Sequence, residues 1–221
     1  MYTDRASRSS PRPGVAMLSK CALDRKRACL VAGIAALVLI AACSSSDSST
    51  ASIQTSANAA LPAVNIIGDS ITAKSKDKIT LDEFDLFIYA VFGISIEEQL
   101  PAIEAAIARS PHVLVIQLGG NDMGHWSPSI VAEVNQILDD AADLDCVRWV
   151  NLGGAIPNLA EMNMLLADQA ASRDNFAVID WAKAVADHPE WLDLDGVHPS
   201  DPVGEVGFAS LVAESVRACP L

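Results

Sequence analysis

Val64-Asn65-Ile66-Ile67-Gly68-Asp69-Ser70 is the stretch that decides the fold. Its first half is a short, mostly apolar run of β-branched residues, the signature of a buried strand. Its second half is a glycine turn that delivers a serine. The same device recurs further along, where the apolar run 112–118 ends in Gly119-Gly120-Asn121-Asp122. A third run, 147–152, ends in Gly153-Gly154, a fourth lies at 176–179, and a shorter, weaker one at 86–91.

Helical patterns alternate with these runs. Over 96–109, Ile96, Leu100, Ile103 and Ile107 recur on one helical face. Segment 128–142 opens on Pro128 with Ser127 as its N-cap, and 157–172 opens on Pro157. A last helix is expected over 203–218. Strands alternating with helices predict an α/β fold with a parallel sheet covered on both faces. The pattern shows neither an internal repeat nor a second domain. In such a sheet the ligand crevice lies beyond the C-terminal strand ends, which is where both Ser70 and Asn121 fall.

The first 42 residues read differently. Arg5, Arg8, Arg12, Lys20, Arg25, Lys26 and Arg27 precede an almost wholly apolar run over 28–42. This order is that of a secretory signal peptide, and the run is short of the about 20 residues that a membrane-spanning helix needs. Ile40-Ala41-Ala42-Cys43 resembles the lipobox of bacterial lipoproteins, which implies cleavage before Cys43 and lipidation of that cysteine. More than one acyl chain on Cys43 gives a firm membrane hold. Residues 44–60, rich in Ser, Ala and Thr, read as a flexible tether. Met17 is an alternative start that leaves a signal peptide of ordinary length, with 1–16 as a start-site artefact. The expected organisation is therefore signal peptide 1–42, lipidated Cys43 and tether 43–60, and a catalytic domain 61–221.

Charge and cysteine content agree with export. Residues 1–42 hold seven of the 15 Lys and Arg but only two of the 28 Asp and Glu. The remainder carries 8 basic and 26 acidic residues, a net charge of −18. Such a surface excludes nucleic acid as a partner, because phosphate binding needs clustered Lys and Arg. After processing, Cys146 and Cys219 remain unmodified, an even pair in an oxidising compartment that is either disulfide-bonded or two buried thiols. No Cys-x-x-Cys or His-x-x-x-His spacing points to a metal, and no cofactor is expected.

Three motifs together carry chemistry. Ser70 supplies a hydroxyl that becomes nucleophilic once a base takes its proton; read alone, it is equally a helix N-cap. His198, in Asp195-Gly196-Val197-His198-Pro199, is the candidate base, with Asp195 one turn away to fix its tautomer. Read alone, that segment is a surface turn, since Asp-Gly is a common turn pair. His125 ranks second as a base, near Asn121. Asn121 has an amide suited to a developing oxyanion, or to capping its own loop. Gly93, in Val91-Phe92-Gly93-Ile94-Ser95, can bring an N–H close to a substrate, or is simply a turn glycine. Asp69 and Asp122 are expected to shape their loops. Ile71, Phe92, Met123, Trp126 and Trp191 are candidates to line a groove.

Gly68-Asp69-Ser70, Gly93, Gly119-x-Asn121-Asp122 and Asp195-x-x-His198 resemble the four sequence blocks of the SGNH (GDSL-type) hydrolases, over roughly residues 63–215. The resemblance implies a three-layer α/β/α sandwich with a mostly parallel, flavodoxin-like sheet. It implies a Ser70–His198–Asp195 triad and an oxyanion hole made by the Ser70 and Gly93 N–H groups and the Asn121 side chain. Where the family often has Leu after the serine, this chain has Ile71-Thr72. No Gly-x-Ser-x-Gly elbow of the α/β-hydrolases is present. The expected activity is that of an exported, lipid-anchored, monomeric serine esterase acting on a small-molecule, glycan or lipid ester, most simply a short-chain or acetyl ester. The alternatives are an acyltransferase of the same fold acting on cell-envelope glycans and a non-catalytic envelope-binding lipoprotein. A two-lobed solute-binding lipoprotein is disfavoured by length.

Overall fold

The structure, a computed structural model, describes residues 60–221. The signal peptide, Cys43 and the tether up to residue 59 lie outside the described residues. Among the described residues, five strands form one sheet: β1 (Ala63–Gly68), β2 (Asp85–Ala90), β3 (Val113–Gln117), β4 (Cys146–Val150) and β5 (Phe176–Ile179). All pairings are parallel, and the strand order is β2-β1-β3-β4-β5. In the same residues, six α-helices connect and cover them: α1 (Ser70–Ser75), α2 (Ile96–Ile107), α3 (Pro128–Asp140), α4 (Leu159–Ala170), α5 (Trp181–Asp187) and α6 (Val203–Arg217).

The parallel sheet is buried on both faces because successive side chains of a strand point to opposite sides. Along β3, Leu114 and Ile116 enter one core with α2, α3 and α4, while Val113 and Val115 enter the other with α1, α5 and α6. The two cores are the two interfaces of a three-layer α/β/α sandwich, as the alternating sequence pattern predicts. Edge strand β2 differs from the others. Its Leu86 and Ile88 pack on the second core, while Phe87 and Tyr89 stay exposed, so its burial alternates instead of running continuously.

Local chemistry sets the element ends. Ser95 caps α2 in a reciprocal capping box with Glu98, and Asn65 of β1 donates to the Ala106 carbonyl in the last turn of that helix. Ser127 stands at the N-cap of α3, but its hydroxyl pairs with Ser129 rather than with a backbone N–H. Helix α4 starts at Leu159, two residues later than the proline signal at Pro157 predicts. Asn158 takes a left-handed conformation there, and its amide donates 2.9 Å to the Met123 carbonyl, so a tertiary contact delays the helix. Helix α5 was not anticipated; Asp180 caps it by accepting from the Lys183 N–H.

The order β2-β1-β3-β4-β5 reverses direction at β1. The first connection leads outward to β2, and the next returns to the far side of β1. A crevice therefore opens between the C-terminal ends of β1 and β3, the usual ligand position in doubly wound sheets of this order. Ser70 follows β1 and Asn121 follows β3.

Candidate active site

The β1-to-α1 turn is built around a buried polar hub. Gln117, the last residue of β3, accepts at Oε1 from the Thr72 hydroxyl (2.9 Å), the Thr72 N–H (3.1 Å) and the Asp69 N–H (3.3 Å). Asp69 caps α1 by accepting from the Ile71 N–H at 3.0 Å. Gly68 has no room for a side chain, since a Cβ there would stand 2.3 Å from Thr72 Oγ1. The turn is thereby fixed, and it delivers Ser70 at the mouth of the crevice.

His198 arrives on the loop between α5 and α6. An antiparallel bridge between Leu192 and Pro199 closes that loop, and the Asp193 N–H donates to the His198 carbonyl at 2.7 Å. The loop docks on the turn after β4, where the Ala155 N–H donates to the Gly196 carbonyl. Gly154, at φ +82°, must lack a side chain: a Cβ would lie 2.2 Å from the Gly196 oxygen.

Ser70, His198 and Asp195 form one unbroken hydrogen-bonded line. Ser70 Oγ lies 2.8 Å from His198 Nε2, and His198 Nδ1 lies 2.7 Å from Asp195 Oδ2. The other Asp195 oxygen accepts from the His198 and Val197 N–H groups at 2.9 and 2.8 Å. Those backbone N–H groups, His198 first and Val197 next, together with the imidazole, hold the Asp195 carboxyl well below the usual carboxylate range. Its anion therefore persists beside the ring, although half of the Asp195 side chain (50%) is exposed to solvent.

The cavity at this point has a volume of about 70 Å³ and is lined by Asp69, Ser70, Ile71, Gly120, Asn121, Ile156, Val197 and His198. Asn121 lines it with its amide nitrogen 2.9 Å from the Ile94 carbonyl and 3.3 Å from Asp69 Oδ2. Gly93 is not among the lining residues. It lies in the turn between β2 and α2 at φ +71°, with open space where a side chain would be. His125 is exposed, in a short 3-10 turn after Asp122.

Of the groove candidates, only Ile71 lines this cavity. Met123 is buried in the core, Phe92 is exposed, and Trp191 stacks on Trp181 and His188 beside a separate surface hollow. Two carboxyls near the site are pushed up to about 6, mainly by burial: Asp69, and Asp122, which accepts from the Ile96 N–H. Gln117 is a site residue that the motif reading missed. Its signal is in the sequence all the same, as a polar residue inside an otherwise apolar strand, which must find buried partners. No cluster of His, Cys, Asp and Glu among the described residues has the arrangement to hold a metal ion. Cys146 and Cys219, which the sequence leaves either bonded or free, form a disulfide.

Sheet, layers and the position of the crevice define the class: the chain has the fold of the SGNH (GDSL-type) hydrolases. Its structural neighbours are esterases and acyltransferases of that fold. The acetylxylan esterase Axe2 of Geobacillus stearothermophilus superposes with a TM-score of 0.54 at 15% identity, over 71% of this chain and 93% of that one. The C-terminal catalytic domain of the peptidoglycan O-acetyltransferase OatA of Streptococcus pneumoniae gives 0.58 at 16% identity, over 72% and 94%. A lipolytic G-D-S-L protein of Veillonella parvula gives 0.55 at 18% identity, over 70% and 95%. In sequence, the chain is 26% identical over 136 residues to the O-acetyltransferase OatA of Staphylococcus aureus. That match takes in 60% of this chain but spans only 22% of the length of the relative. No family model matches the chain.

Proposed function

We propose that the chain is an exported serine esterase that removes small acyl groups, acetyl above all, from hydroxyl-bearing substrates. The observation that carries the reading is the line Ser70–His198–Asp195, with successive contacts of 2.8 and 2.7 Å at the mouth of the switch-point crevice. In the first step His198 Nε2 takes the Ser70 proton as Oγ attacks the ester carbonyl. The oxyanion is held by the Ser70 N–H and the Asn121 amide, both on the cavity wall, and the family resemblance adds the Gly93 N–H, which lies outside that wall, as a third donor. His198 then protonates the departing alcohol, leaving an acyl-Ser70 ester. A water molecule, deprotonated by His198, attacks this ester and releases the acid, and the proton returns to Ser70. Asp195 keeps the Nδ1 proton in place and balances the imidazolium that forms twice per cycle.

Cavity size supports a small acyl group. A volume of about 70 Å³ is far below the roughly 300–1,000 Å³ of sites that enclose drug-sized ligands, which suits an acetyl group better than an enclosed long acyl chain. The named activities of the similar proteins, acetylxylan esterase and O-acetyltransferase, support the same class of acyl group. Hydrolysis should follow acyl length, with p-nitrophenyl acetate cleaved well, octanoate poorly, and both activities lost in Ser70→Ala. Turnover of acetate that survives Ser70→Ala overturns the reading.

The O-acetyltransferase match favours a second reading, in which a sugar hydroxyl replaces water in the deacylation step. Incubation with an acetyl donor and soluble glycan acceptors, followed by mass spectrometry, separates the two: acetylated glycan marks a transferase, free acetate a hydrolase. Export and lipid anchoring through Cys43 complete the proposal. No helix among the described residues is long and apolar enough to cross a membrane. Release of the Cys43→Ser variant from the membrane fraction is the expected result and checks the anchor.

A further inference from the structure

The proposed chemistry asks the Asn121 amide to donate to a negatively charged oxygen, yet both hydrogens of its NH2 group already face acceptors. One points to the Ile94 carbonyl at 2.9 Å and the other to Asp69 Oδ2 at 3.3 Å. A carbonyl and a carboxylate have no proton to give, so they can only accept. Together they dictate that the nitrogen of the amide, and not its oxygen, occupies this position. The distinction matters because an inverted amide would present its oxygen, which repels an oxyanion.

Asp69 is built to hold that contact. It is 2% exposed, and its Oδ1 is fixed on the Ile71 N–H at the start of α1, so Oδ2 cannot swing away. The Asn121 bond to Asp69 is the longer of the two, and both residues line the cavity. At 3.3 Å it is long for a hydrogen bond, so a better-placed acceptor can compete for the same N–H.

We infer that Asp69 is a positioning residue for acyl transfer: its Oδ2 holds the Asn121 amide nitrogen-first in the resting site and yields that N–H to the substrate oxyanion. The inference rests on the reading of Asn121 as an oxyanion donor. The aspartate between the glycine and the serine thus serves two ends with two oxygens. Oδ1 starts the helix that carries Ser70, and Oδ2 orients the donor that follows β3.

A double-mutant cycle on the full chain, with p-nitrophenyl acetate as substrate, tests it. Asp69→Asn keeps the size of the side chain and an oxygen for the Ile71 N–H, but presents an NH2 group that cannot accept from Asn121. The expected result is a fall in kcat of about 10–100-fold with KM nearly unchanged. In an Asn121→Ala background, the same substitution should change kcat by no more than about 2-fold, because the group it positions is gone. Asp69→Ser, which retains a capping oxygen but is too short to reach Asn121, should reproduce the pattern if Asp69→Asn folds poorly. An unchanged kcat in Asp69→Asn overturns the inference. So does an equal loss in both backgrounds, since Asp69 would then act through Ser70. Asn121→Ala without effect on kcat sinks the oxyanion reading itself and is seen before the cycle is closed.

Discussion

Asp69 and Asp195 flank the same serine–histidine pair, and their surroundings drive their carboxyls in opposite directions. Asp195 is half exposed and receives two backbone N–H groups and an imidazole, so its anion is favoured. Asp69 is buried, and desolvation outweighs the hydrogen bonds and the His198 charge that favour its anion, which raises its pKa from 3.8 to about 6. Asp122 is raised to about 6 by burial and by the charges of Glu133, Asp69 and Glu98. These shifts make stability depend on pH with opposite signs. A carboxyl with a raised pKa binds its proton more tightly when folded, so its contribution is complete below about pH 4 and is lost as pH rises through 6. The Asp195 contribution is present above its ordinary pKa of 3.8 and is lost as pH falls below that value. Between pH 4.5 and 7, Asp69 alone should therefore cost on the order of 2 kcal/mol of folding stability. Guanidinium denaturation at the two pH values measures this. Asp69→Asn should show a smaller decline with pH than the wild type, and identical declines would mean that burial does not govern this carboxyl.

At the level of the element, the turn from β1 into α1 does most to place the site. Gly68, Asp69, Thr72 and Gln117 interlock so closely that a methyl group on residue 68 meets Thr72 at 2.3 Å from Oγ1 and 2.5 Å from Cβ. Thr72 cannot retreat without breaking its bonds to Gln117, and it is fully buried. Gly68→Ala should therefore destabilise the fold by about 1–3 kcal/mol, the usual range for overpacking, and lower kcat by moving Ser70 away from His198. Thermal denaturation and steady-state kinetics on the same preparation check both. A fully stable, fully active variant would show that the turn adapts. This element also shows what the sequence discloses. The strand, the turn and the serine were legible because a β-branched run ending in glycine has few other readings. Strand β2 and α4 were legible only approximately, because an edge strand buries one face and because the Asn158–Met123 contact, which local sequence cannot encode, sets where α4 begins. In the sequence, only their motif types connect Ser70 and His198. The 2.8 Å contact depends on Ala155 holding the Gly196 loop, a pairing with no local signature. Helix α5 went unread because its short apolar pattern lies between two polar loops.

Among the described residues, the candidate site and the disulfide sit at opposite ends of the sheet. The candidate site occupies the C-terminal edge of the sheet, at the switch point between β1 and β3. The disulfide joins Cys146, the first residue of β4, to Cys219, just past the end of α6. Helix α6 starts next to the His198 loop and runs 15 residues, about 22 Å, so its disulfide end is far from the imidazole. Along that length it covers the second core with Phe208, Val212 and Val216. Anchoring its far end therefore secures one layer of the sandwich without touching the reacting groups. Closing a loop with a sequence separation of 73 should stabilise the fold by about 4 kcal/mol through the unfolded chain. For a domain of this size that corresponds to a fall of roughly 10 °C in Tm on reduction. Replacing both cysteines with alanine should lower Tm by a similar amount, while kcat at 25 °C stays within about twofold of wild type, because nothing that holds Ser70, His198 or Asn121 is attached there. Circular dichroism melts with and without reductant, paired with ester hydrolysis at 25 °C, measure the two effects separately. Loss of activity in reduced protein that is still folded would show that α6 transmits strain along its length to the His198 loop.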